Sequence, residues 1–332
     1  MMVGHAMLAF AVAASLATRF GWTRERALAL GVVAGAFATL PDVDMTYAAL
    51  GGAEALVAAN HATLVGSVWG STHAFWADSV DVHRTMTHSL VVAVPTALAA
   101  TWIGAARTRR ALAVLVVAGL VVVADAVSGP LGASVMVVFA GVGLALGLAT
   151  RRYTEFSDRT IFAAAFFGMA SHPFGDLFTG HPPAFFYPFD VTLVAHRVAL
   201  LPDPTLNLLA IFAVELTTIW LAVTTYARLT ERSTWAHVDA RAVAGVAYAI
   251  AVVAIPAPTL HLSYPFVFSV LAVGLVGITP RSTPSLPRRP RAAAVISNPL
   301  ARLRGVWFAS VVTGLAAVTL AAAAYTVAYL VA

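Results

Sequence analysis

Four polar knots interrupt an otherwise apolar chain. They are His5; the pair Asp42 and Asp44 in Pro41-Asp42-Val43-Asp44; His83, Arg84 and His88 in His83-Arg84-Thr85-Met86-Thr87-His88-Ser89; and His172 with Asp176 in Ser171-His172-Pro173-Phe174-Gly175-Asp176. Imidazole and carboxylate together suit Zn, Mn or Fe. The chain has no cysteine, so thiolate sites and disulfides are excluded and any metal must be held by oxygen and imidazole. A divalent ion whose sphere the protein fills only in part lowers the pKa of its water toward ~7, which turns that water into a nucleophile. Arg84, beside it, would stabilise an anionic transition state or hold a phosphate.

Spacing refines this. His172 and Asp176 are four apart and share a helix face, half of a metal site. Pro173 disfavours a helical His172, so the histidine is expected to leave the helix and cap it from above. His83 and His88 are five apart and would splay on a straight helix; they either flank a bend or serve two metals. Asp42 and Asp44 follow a proline that ends a helix, and one can reach a cation while the other orients a histidine from behind. His5 has no partner in sequence and stands as a further candidate ligand. His61, His73, His196, His237 and His261 are expected to be capping or interfacial, and Asp125 to belong to a helix-hairpin turn. There is no Gly-rich phosphate loop in a suitable context, no His-Glu-x-x-His and no Gly-x-Ser-x-Gly.

The elements that must position these groups are membrane helices. Sixty per cent apolar and 11% charged residues, with a mean hydropathy of +0.85, lie far outside the globular range. The net charge of +5 comes from arginines scattered between apolar runs, without a basic patch, which excludes a nucleic-acid binder. Apolar runs fall at about 2 to 18, 27 to 40, 89 to 106, 111 to 127, 131 to 149, 160 to 175, 206 to 227, 242 to 258, 264 to 279 and 305 to 330. The expectation is an all-α, polytopic bundle of about ten transmembrane helices, the prolines near 256 to 265 allowing that pair to be re-entrant. The first run has no basic residue before it and three after it, the reverse of a signal peptide, so it is expected to be retained.

Of the 20 basic residues, all arginine, 18 fall in alternate connections, which the positive-inside rule makes cytoplasmic. Both termini are then extracytoplasmic. Arg84 and Arg197 are the exceptions, and Arg84 lies inside the histidine knot. The same topology puts nine of the ten histidines outside, His237 being the exception, and gathers all four knots at outer helix ends. Runs 27 to 40 and 160 to 172 span only ~20 Å against ~30 Å of hydrocarbon, so the knots would line a pocket sunk below the outer surface. Residues 1 to 279 form the transmembrane body, with an outer insertion at 45 to 82 expected to carry short interfacial helices. The aromatic, proline-rich loop 177 to 203 would roof the pocket, 280 to 304 is a cytoplasmic Pro/Arg-rich linker touching anionic lipid, and 305 to 332 a last helix.

Pro41-Asp42-Val43-Asp44, the 83 to 89 knot, His172-Pro173-Phe174-Gly175-Asp176-Leu177-Phe178-Thr179 and Tyr187-Pro188-Phe189, in that order, resemble the motifs of the YdjM-type membrane-bound, metal-dependent hydrolases, LexA-regulated inner-membrane proteins. The likeness covers roughly residues 1 to 200. The motif order is also similar, more distantly, to zinc-dependent phospholipase C proteins. The resemblance implies a divalent metal, Zn first and Mn or Fe next, with ligands from Asp42 or Asp44, His83, His88, His172 and Asp176. The resulting expectation is a hydrolase of the cell membrane acting on a phosphoester or other ester, with lipids as its partners and lipid as a candidate substrate. The alternative is a non-enzymatic transporter or ion-binding protein in which the same groups hold a cation in transit.

Overall fold

The computed structural model describes residues 2–47, 84–260, 263–278 and 299–332. His83, nearly all of the 45 to 82 insertion, and the linker from 280 to 298 lie outside the described residues. Those described are helical or irregular, with no strand among them. By internal contacts the chain divides into two compact units, Met1–Val198 and Ala199–Ala332.

In the first unit, α1 (Met2–Arg19) packs on α2 (Arg24–Ala38), and α2 and α3 (Leu90–Trp102) both pack on α5 (Asp158–Asp176). Side-chain oxygens start these helices: Thr23 accepts from Arg26 N, Ser89 from Val91 N, and Ser157 from Thr160 N. Small residues let the backbones close up, as apolar solvent demands. A Cβ at Gly35 would lie 2.9 Å from the Ala6 carbonyl oxygen, and one at Gly168 would lie 2.5 Å from that of Ala34.

The long helix α4 (Arg107–Tyr153) contains a break at Gly129, whose φ of 69° lies in the left-handed region, followed by Pro130. A straight helix of this length would run ~70 Å, more than twice the hydrocarbon thickness. It folds back instead. Ala113, Val116 and Val117 of the first arm share an apolar cluster with Leu144 of the second, and both Arg109 and Arg151 reach Asp158. The two apolar runs at 111 to 127 and 131 to 149 are the two arms.

In the second unit, α6 (Pro204–Leu229) is capped by Asp203, which accepts from Leu206 N. A 3-10 segment, Ala240–Ile250, leads into α7 (Ala251–Ala254); α8 (Ser263–Val273) and α9 (Pro299–Val331) complete the unit. Its core is Leu208, Phe212, Phe266, Val270, Ala321 and Tyr325. Among the described residues, four helical stretches are long and apolar enough to cross a membrane: Arg24–Met45, Arg107–Tyr153, Pro204–Leu229 and Val306–Val331. Shorter apolar helices occupy Val3–Arg19, Leu90–Trp102, Ala240–Ala254 and Pro265–Ile278.

Candidate metal centre

Three segments of the first unit end at one place. α2 stops at Ala38, and a 3-10 turn, Pro41–Tyr47, carries Asp42 and Asp44. The chain re-emerges at Arg84, held at a φ of 68°, and passes through a short 3-10 turn, Met86–His88, before Ser89 caps α3. The last turn of α5 supplies His172 and Asp176.

His172 does not leave the helix, as its following proline suggested. α5 continues through Pro173 to Asp176. Proline removes one helical hydrogen bond, which costs little inside packed membrane helices where neighbours re-satisfy the backbone. Tight packing of α5 on α2 at Gly168 holds the segment helical and keeps His172 and Asp176 on one face.

Asp42, His88, His172 and Asp176 each offer one atom, and these atoms lie within 4.8 Å of one another. His172 Nε2 is 3.3 Å from Asp42 Oδ1 and 3.4 Å from Asp176 Oδ2; His88 Nε2 is 3.1 Å from Asp176 Oδ2 and 3.8 Å from Asp42 Oδ1. All four residues are buried, His172 completely. His172 Nε2 and Asp176 Oδ2 have no hydrogen-bond partner among the described residues.

The opposite ring nitrogens explain the orientation. The Ala38 carbonyl, left over at the end of α2, accepts from His172 Nδ1 at 2.6 Å. That places the proton on Nδ1 and turns the Nε2 lone pair toward the two carboxylates. On His88, Nδ1 is 2.9 Å from Thr87 Oγ1, and that hydroxyl donates to Asp44 Oδ2 at 2.6 Å. Asp44 therefore stands behind His88, through Thr87, while Asp42 faces the converging atoms. Ring nitrogens facing carboxylate oxygens in a buried space need a proton or a metal ion between them, and two nitrogens with two oxygens suit a divalent ion of the Zn, Mn or Fe type. The residues fit such an ion.

The other candidates surround this group. His5 Nε2 donates to Asp176 Oδ1 at 3.1 Å, and its ring centroid is 3.9 Å from that of His172. Arg84 Nη1 donates to the carbonyls of Asp176 and His181, each at 3.0 Å. Its Nη2 donates to Thr179 Oγ1 at 2.7 Å and lies 3.5 Å from Asp176 Oδ1. The guanidinium thus ties the 84 turn to the 176 to 181 loop. Tyr187, from the last sequence motif, is anchored above α3: Ser89 Oγ donates to the Tyr187 carbonyl at 2.8 Å, and Leu90 N donates to that of Phe185. Thr87, Ala38 and Gly175 are participants that spacing did not single out. Thr87 adjoins a knot histidine and, by spacing, shares a helix face with His83, but that spacing does not point to its link between His88 and Asp44.

Fold and site together define an all-helical integral membrane protein with a buried two-histidine, two-aspartate group able to hold a metal ion. The model of the YdjM inner membrane protein family matches residues 1–259, and the chain belongs to that family. It is accordingly an inner-membrane protein, and the match continues beyond residue 200 into the second unit. No curated protein and no solved structure matches the chain significantly.

Proposed function

We propose that the protein is an integral-membrane, metal-dependent hydrolase whose substrate is a phosphoester or other ester of a lipid in the outer leaflet. The observation that carries this reading is the convergence of His88, His172, Asp42 and Asp176, with buried His172 Nε2 and Asp176 Oδ2 unpartnered among the described residues. Those four would hold the ion, Zn before Mn or Fe. When bound, a divalent ion supplies a Lewis acid that brings its water's pKa toward ~7. Asp44 acts behind it, keeping the His88 proton on Nδ1 through Thr87, and Arg84 fixes the Asp176 loop.

The membrane reading is about ten crossings with both termini and the metal end outside. The loop after the site supports a lipid substrate: Phe189, Val191 and Leu193 are each more than half exposed and are suited to the headgroup layer. A cation carrier would need polar groups continuing toward the opposite face. In α3 the hydroxyls of Thr96 and Thr101 are turned onto the backbone carbonyls of Val92 and Ala97, which favours the hydrolase.

Elemental analysis of the purified full-length protein should give stoichiometric divalent metal, lost in His88→Ala and in Asp176→Ala. Phospholipid vesicles incubated with the wild-type protein should release a hydrolysis product that neither variant forms. Metal content unchanged in both variants would sink the proposal.

A further inference from the structure

Asp176 is approached from two sides by different chemistry. Its Oδ2 faces His88 and His172, the side on which a cation would be held. Its Oδ1 faces His5 Nε2 at 3.1 Å and Arg84 Nη2 at 3.5 Å. A second cation bridged through Oδ1 would have to share that oxygen with a guanidinium already beside it, and like charges at that separation repel. The Oδ1 side is therefore a hydrogen-bonding side.

A glycine prepares the place for the imidazole. Gly175 lies within α5, where glycine costs about 1 kcal/mol relative to alanine, and it is not among the positive-φ glycines. Backbone conformation does not call for it. A Cβ built there would overlap His5 Cε1 and lie 2.7 Å from His5 Nδ1. The ring has little room to retreat, being almost fully buried and packed at a tilt against His172, with the ring centroids 3.9 Å apart.

We propose that His5 is a positioning residue and not a metal ligand: seated in the space left by Gly175, it holds Asp176 Oδ1 together with Arg84, so that Asp176 offers the cation Oδ2 alone. This inference rests on the metal-centre reading above and adds that the centre holds one ion. Glutamine at position 5 keeps a donor for Oδ1 but has no ring nitrogen to ligate with.

The test uses full-length protein loaded with Co2+, whose visible spectrum reports its ligands. His5→Gln should retain one equivalent of Co2+ and the wild-type spectrum. His5→Ala and Gly175→Ala should each weaken metal affinity by about 10- to 100-fold in chelator competition, the range expected when a ligand's outer partner is lost. The double variant should be no weaker than either single one, because both remove the same contact. A changed Co2+ spectrum or a lost equivalent in His5→Gln would make His5 a ligand and overturn the inference with the metal centre intact. Additive losses in the double variant would overturn the role given to Gly175. Wild-type protein that takes up no Co2+ would overturn the metal centre and this inference with it.

Discussion

Thr87 shows how much of the candidate centre depends on a residue with no metal chemistry of its own. Its hydroxyl accepts from His88 Nδ1 and donates to Asp44, so the proton is kept on the far side of the ring and Nε2 is left for the cation. Thr87→Val has nearly the same shape without the hydroxyl and should lower metal affinity about 10- to 100-fold in a chelator titration, with Thr87→Ser restoring it. Equal affinities in Val and Ser variants would remove the relay. Protons compete for His88 and His172 Nε2, so affinity should also fall as pH is lowered. The donors themselves were legible because each breaks an apolar run. The choice between Asp42 and Asp44 was not: two residues apart, they could exchange places with any change in the backbone after Pro41. The 3-10 turn decides it by turning Asp42 toward His172 and Asp44 toward Thr87. Nor could spacing find the partner of His5, since that contact closes across 171 residues.

At the level of helices, the centre depends on α2 and α5 being close enough for the turn after one to meet the last turn of the other. Gly168 is the contact that sets this distance, since a Cβ there would lie 2.5 Å from the Ala34 carbonyl and 2.8 Å from Phe37 Cβ. Backbone on one side and a fully buried ring on the other leave no flexible group to yield. Gly168→Ala should therefore destabilise the protein by about 1–3 kcal/mol, the usual cost of overpacking, and weaken metal binding although the residue touches no donor. Gly141→Ala is the control, because a Cβ there meets nothing within 4 Å. Thermal unfolding in detergent beside a metal titration would separate the two, and equal behaviour of both variants would refute the spacing argument. Hydropathy located these helices well, including the two arms of α4, because each is a run of apolar residues. The reading that failed was the one at Pro173, where a local proline rule lost to the packing of the whole helix on its neighbour, although the apolar run itself continued past that residue.

Within the first unit, the arginines other than Arg84 and Arg197 lie at the helix ends opposite the metal group. α2 begins at Arg24 and Arg26 and ends just before Asp42; α5 begins at Asp158 and ends at Asp176. Arg109 and Arg151, from the two extremities of α4, both pair with Asp158, and Arg26 stands 4.3 Å over the Trp22 ring. On the topology proposed above, the positive-inside rule puts this arginine end, with its interfacial tryptophan, in the cytoplasm and the candidate centre outside. The sequence carried this polarity in the alternation of its arginines, but the convergence of Arg109 and Arg151 on one carboxylate needed the fold-back at Gly129. The chain lacks cysteine, so single cysteines can report the orientation without background. Tyr153→Cys, at a position 82% exposed on the arginine end, should react with a membrane-impermeant maleimide only in inverted vesicles. Val191→Cys, 56% exposed in the loop beyond the metal end, should react in right-side-out vesicles. A membrane-impermeant chelator should likewise draw metal from right-side-out vesicles faster than from inverted ones. The reverse pattern in both experiments would place the centre on the cytoplasmic face and remove the outer-leaflet substrate, while leaving the four-residue group and its chemistry as they stand.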